Sequence, residues 1–342
     1  MDKRVFAIIG LTLFLTTSSS GQDDFWSSGR PDGHAPISVM GEHYHKKGEV
    51  MISYRYMPMW MDGNLSSSNS ISNEDVLQSY MVVPKTMSMN MHMLGIMYAP
   101  TNNITLMVMG NHVANSMNLS TRMGVDFTTT SSGIGDLSFS GLVKILNKNR
   151  QSIHANVGLS IPTGNIDQRD NTPMMDNAQL AYPMQVGSGT FDPFFGATYL
   201  GQSNRISWGF QSLFKARIGT NTEEYALGNK LNTVAWGAIK ASEKFSFSTS
   251  ISYYYLEEIK GADPDLNPAM MPLFSAINSG RNQLDIGLGS NFYMPNGALK
   301  NLRVGIEVKY PLLQAVNGVQ MKTTLTGMIG LQYSIGHNVK HE

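Results

Sequence analysis

Hydrophobic and polar side chains alternate along most of this chain. Val50, Ile52, Tyr54, Tyr56 and Trp60 fall on one side of an extended backbone, with Met51, Ser53, Arg55, Met57, Met59 and Met61 on the other. Ile153, Ala155, Val157, Leu159 and Ile161 alternate in the same way with His154, Asn156, Gly158 and Ser160. So do Leu302, Val304, Ile306, Val308 and Tyr310 with Arg303, Gly305, Glu307 and Lys309. A period of two belongs to strands whose two faces meet different surroundings, and nothing comparable shows the period of an amphipathic helix. Twelve such runs begin near residues 49, 87, 104, 134, 151, 190, 206, 229, 245, 282, 302 and 322. The run over 229–241 alternates poorly, which leaves its register open.

Connections between the runs are of two kinds, taken in turn. Short ones fall at 100–103, 147–150, 202–205, 242–243 and 295–297, while long polar ones occupy 62–86, 118–133, 162–189, 219–228, 258–281 and 314–321. A membrane-spanning strand needs about 9 to 11 residues. An even number of them, with short turns at one end and long loops at the other, is the pattern of an outer-membrane barrel. The predicted fold is therefore all-β, a closed antiparallel transmembrane barrel of about twelve strands over residues 49–335. Aromatics such as Tyr54, Trp60, Tyr98, Phe210, Phe247, Tyr253 and Tyr310 lie on the apolar side near strand ends, where they would form interfacial girdles. The opposite side carries Arg55, Asp136, His154, Asp192, Lys215, Arg217, Asp285, Arg303 and Glu307, which belong in a polar lumen.

Composition agrees with that placement. Only 15% of residues are charged, against about 25% in ordinary soluble domains. The 25 basic and 25 acidic side chains cancel, so no general electrostatic hold on nucleic acid is available, and with no cysteine there is no disulfide framework. Residues 1–21 read as a cleaved signal peptide, with Lys3 and Arg4 ahead of the apolar run VFAIIGLTLFL and small residues after it. Residues 22–48 follow as a His- and Met-containing N-terminal segment placed in the periplasm, and 336–342 as a C-terminal tail. The expected location is the outer membrane of a Gram-negative bacterium, with membrane lipid as a partner.

Methionine changes the picture most. Fifteen of the 24 methionines fall between Met40 and Met123. Met57, Met59 and Met61 end one run, Met87, Met89, Met91 and Met93 begin the next, and all share the inward parity, as do Met107 and Met109 on the third run. They predict a thioether ladder near one mouth of the barrel. Thioethers are soft ligands suited to Cu(I), and imidazole suits copper as well; methionine is also a flexible filler that packs irregular space. A second group lies before the first strand, where His34, Met40, His43 and His45 make a candidate copper or zinc site. No cofactor is required by any motif, and copper is the one that these clusters suggest. Gly-x-Ser-x-Gly, His-Glu-x-x-His and Walker-type loops are all missing, so no enzyme is expected.

Several stretches together carry a family resemblance: HAPISVMGEHYHKKGEVMISYRYM from His34 to Met57, Gly133-Ile134-Gly135-Asp136-Leu137, Leu159-Ser160-Ile161-Pro162-Thr163-Gly164, and Ala262-Asp263-Pro264-Asp265-Leu266-Asn267-Pro268-Ala269-Met270. With these, the chain resembles the outer-membrane transporter family named for the meta-pathway of phenol degradation, from about residue 34 to residue 335. The resemblance implies a barrel that passes small molecules, aromatic ones among them, and brings no catalytic residues. The expected function is a channel or transporter for a small solute, either an aromatic or hydrophobic compound or a soft metal ion. The alternative is a Cu(I)-binding outer-membrane protein that uses a Met/His-rich lumen and its N-terminal segment.

Overall fold

The structure, a computed structural model, describes residues 25–336. The predicted signal peptide and the tail beyond Gly336 lie outside the described residues. Twelve antiparallel strands close on themselves. In chain order they are β1 (Val50–Ser66), β2 (Val82–Tyr98), β3 (Ile104–Thr121), β4, β5 (Gln151–Ile161) and β6 (Asp192–Gln202). Then come β7 (Ile206–Lys215), β8 (Lys230–Lys240), β9 (Phe245–Leu256), β10 (Arg281–Tyr293), β11 (Leu302–Val316) and β12 (Val319–Ile335). β4 is broken at Gly135-Asp136 into Asp126–Ile134 and Leu137–Lys148, and both parts pair with β3. Closure comes from β12 on β1, from Val50 opposite Ile335 to Ser66 opposite Val319. No sheet edge is left along the barrel, as a wall in lipid requires.

Outward residues form the apolar band. Ile52, Tyr54, Leu94, Ile96, Leu106, Phe139, Val157, Phe195, Phe210, Phe247, Ile251, Leu288, Ile306 and Tyr310 are all exposed on the outer face. β1, β2 and β3 have 17, 17 and 18 residues, well beyond the about 9 to 11 that a bilayer needs. Their extra length rises at the long-loop end, where Asp62, Asn118, Asp126 and Thr128 are exposed. A polar collar thus stands above the apolar band.

Two of the predicted long loops are instead strand. Over 118–133, β3 and the upper part of β4 pair directly, from His112 opposite Ile134 to Ser120 opposite Asp126, around a turn at 122–125. Over 314–321, β11 and β12 meet at Asn317-Gly318, with Gly318 at φ +59°. In the first of these the outward face above the membrane is polar too, with Asn118, Asp126, Thr128 and Thr130 exposed, so its strand residues lose the alternation that marks them. β8 fails to alternate for the opposite reason. Its inward Val234, Trp236 and Ala238 are buried, the first two in an apolar cluster with Ala35, Val39 and Leu200, so its lumen face is hydrophobic. Among the described residues no helix is long and apolar enough to cross a membrane.

Candidate functional site

The register between β1 and β2 places Met57 opposite Met91, Met59 opposite Met89 and Met61 opposite Met87, with Met51 opposite Met97 lower down. β3 continues the rows, with Met117 opposite Met87 and Met107 opposite Met97. Directly opposite residues on one face hold their Cβ atoms about 5 Å apart, so thioethers follow one another across three neighbouring strands. The ladder is longer than the sequence predicted. Instead of gathering near one mouth, it runs from a cluster of Met51, Met97, Met107 and Leu142, through Met57, Met91, Met93, Met40, Met328 and Ile37, to one at the long-loop end. Met59 and Met89 occupy the rungs between. Met109, opposite Gly95, shares their inward parity. Parity at Met328 differs from that at Met321 because β12 shifts register between Leu325 and Thr323.

At the long-loop end Met61, Met87, Met117 and Met321 meet Leu180, Ala181, Met184, Met271 and Leu273, which the loops between β5 and β6 and between β9 and β10 fold down over the mouth. Asp136 pins the first of these loops. Its carboxylate accepts from the Gly164 amide at 3.1 Å, the Ser188 amide at 3.0 Å and the Ser188 hydroxyl at 2.6 Å, while Thr163 Oγ1 donates to the Gly135 carbonyl at 2.9 Å. The Gly-Ile-Gly-Asp and Pro-Thr-Gly elements are thus a loop anchor. In the second loop Asp263 accepts from Gln179 Nε2 at 3.2 Å, and its amide donates to Tyr182 Oη at 2.9 Å, so the two loops hold each other. Met174 and Met175 stay on the outside, exposed.

The N-terminal segment occupies the lumen, and this corrects its predicted place below the barrel. Asp32, His34, Ala35, Ile37, Val39, Glu42, His43 and His45 are all buried. Strands on every side hold it. Arg55 Nε donates to the Ile37 carbonyl at 3.0 Å, the Ser38 amide to Glu307 at 3.0 Å, Gln211 Nε2 to the Met40 carbonyl at 3.0 Å, and His154 Nε2 to the Gly41 carbonyl at 3.0 Å. The His45 amide donates to Thr105 Oγ1 at 2.8 Å, and Ser246 Oγ to the Pro31 carbonyl at 2.8 Å. Buried polar groups need partners, and here the plug's backbone supplies them to the wall. Ala35, Ile37 and Val39 alternate, a strand-like period that could have marked the segment as extended and buried.

Within the plug, His34 Nδ1 lies 2.9 Å and His43 Nδ1 3.0 Å from Glu42 Oε1. The His43 ring centroid is 4.2 Å from that of His34 and 4.6 Å from that of His45. Burial, reinforced by the nearby Arg303 and His43, holds His34 well below the usual imidazole range. Burial alone would raise the Glu42 carboxyl, but the facing His43 and His34 hold it well below the usual carboxylate range. Burial also lowers His45, against the Glu49 carboxylate beside it. Met40 does not join this group; it packs with Ile37, Met93 and Met328. Glu42, next to His43 in the sequence, is the group that His34 and His43 both face.

The remaining polar lumen residues form fixed pairs. Arg217 bonds to Asp192, which also accepts from Ser188 Oγ at 2.9 Å and Thr190 Oγ1 at 2.6 Å. Glu307 accepts from Ser250 Oγ at 2.9 Å, and Asp285 from Gln283 Nε2 at 2.8 Å. Lys215 lies over the Phe194 ring at 5.5 Å. Arg303 Nη2 donates to the Arg30 carbonyl at 2.9 Å. These groups lie on or beside β6, β7, β10 and β11, outside the three strands that carry the methionine rows.

No protein-family model matches the chain, and no curated protein does. Among solved structures, the crystal structure of an outer membrane channel from Pseudomonas putida F1 aligns with a TM-score of 0.60 at 14% identity, covering 87% of this chain and 100% of that one. A Pseudomonas aeruginosa FadL homologue gives 0.42 at 9% identity over 91% and 99%, and the NanC porin 0.43 at 9% over 82% and 98%. The first of these likenesses is one of fold, a closed outer-membrane-type barrel.

Proposed function

We propose that this protein is an outer-membrane channel that passes a small solute along the methionine wall, and that the solute is a soft metal ion of the copper(I) kind. The carrying observation is the placement of Met57, Met59, Met61, Met87, Met89, Met91 and Met93 on successive inward rungs, flanked by thioethers at both ends. Thioether sulfur binds Cu(I) and discriminates against hard cations. A row of equivalent weak sites lets an ion step from one pair to the next without being trapped. The apolar outer band and the polar collar favour a position in the outer membrane, with the long loops outside the cell and the plug on the periplasmic side.

A second reading comes from the mouth, where Phe127 and Phe274 join Leu180 and Leu273 beside the methionines. Such a surface also suits an apolar or aromatic molecule, as the family resemblance implies. Proteoliposomes separate the two. With a copper(I) chelator trapped inside, the full chain should admit copper(I) well above protein-free vesicles, and an Ile37→Ala variant with a loosened plug should admit more. Entry of phenol without copper(I) would favour the second reading, and entry of neither would contradict a channel for these solutes.

A further inference from the structure

The plug carries chemistry that a thioether path does not need. His34, Glu42 and His43 each offer one ligand atom, and those atoms all lie within 4.8 Å of one another. All three residues are buried, His43 completely. Glu42 Oε2, His43 Nε2 and His45 Nε2 are enclosed without a hydrogen-bond partner. Leaving such groups unsatisfied costs about 1–3 kcal/mol each and is uncommon in folded proteins. Arg303 and Arg55 are near, yet neither forms an ion pair with Glu42; they donate to the Arg30 and Ile37 carbonyls.

We infer that His34, Glu42 and His43 form a three-ligand binding site, with solvent as the fourth donor, for one borderline divalent cation of the zinc(II) or copper(II) kind. Two imidazoles and a carboxylate match the donor preference of these ions, whereas copper(I) favours the sulfur of the methionine wall. The site is therefore independent of the path proposed above. His34 and Glu42 are eight positions apart, so a bound cation would close the intervening chain, including the wall-packing Ala35, Ile37 and Val39, into a clamped loop. Metal binding at a site formed only in the folded state adds its binding free energy to the stability of that state. The cation would thus fasten the plug in the lumen.

The test uses the full chain, purified in detergent, stripped with a chelator and titrated with zinc(II), with cobalt(II) as the spectroscopic probe. One zinc(II) per chain and the visible absorption of a four-coordinate cobalt(II) site are expected. Glu42→Gln and His43→Gln should each lose stoichiometric binding, while the variant with the seven methionines changed to Leu should keep it. Barrel integrity is read from the change in gel mobility on heating, and His34→Gln replaces any variant that fails this check. Binding undiminished in the folded plug variants, or no binding by the parent, would overturn the site. Loss in the Leu variant alone would place the metal on the wall instead.

Discussion

At the scale of single residues, the account rests on close approaches between plug and wall. Gly330 and Gly305 face Ile37: a Cβ on Gly330 would lie 2.7 Å from Ile37 Cγ1, and one on Gly305 2.9 Å from Ile37 Cβ. Gly330→Val should therefore push Ile37 off its seat. Overpacking of this kind typically costs about 1–3 kcal/mol, and here the plug can yield more readily than the strands. The expected outcome is higher single-channel conductance than the parent in planar bilayers, with faster protease cleavage after Arg30. Unchanged conductance and cleavage would show that Ile37 does not hold the plug. The inward parity of the methionines was legible because side-chain period alone sets it. The role of Glu42 was not, since its partners His34 and His43 meet it only when the segment bends inside the lumen.

Among elements, the strands that alternate cleanly are found where the sequence placed them: β3, β5, β7, β9 and β11 begin at Ile104, Gln151, Ile206, Phe245 and Leu302. Misreadings cluster where only one medium, or none, touches both faces. The hairpin of β3 with the upper part of β4 has water on its outer side and read as loop, and β8 packs the plug and read as irregular. The plug itself lacks the length of a strand and pairs through side chains, so the short alternation of Ala35, Ile37 and Val39 was the one periodic cue to its enclosure. These differences move the surface sites: Met123 and Gly124 now form an exposed turn, with Met123 91% exposed. An epitope inserted between them should be labelled on intact cells, whereas one at Thr101-Asn102, in a short turn, should be labelled only after the outer membrane is broken. The reverse pattern would invert the orientation.

For the whole molecule, the thioethers are confined mainly to β1, β2 and β3, while the charged lumen residues lie mostly on other strands, with a plug at one end and interlocked loops at the other. In the proposed function this asymmetry serves a soft cation, and the alternative is packing alone. Methionine and leucine are close in volume, and each exchange costs below about 1.5 kcal/mol, so a barrel with Leu at 57, 59, 61, 87, 89, 91 and 93 should still fold and close. Only sulfur is lost. The decisive measurement is the initial rate of copper(I) entry into chelator-loaded proteoliposomes carrying equal amounts of parent or Leu variant, both shown to be folded by heat-dependent gel mobility. The account predicts rapid entry through the parent and entry at the protein-free rate through the variant; equal entry through both would contradict it and leave the methionines as filler.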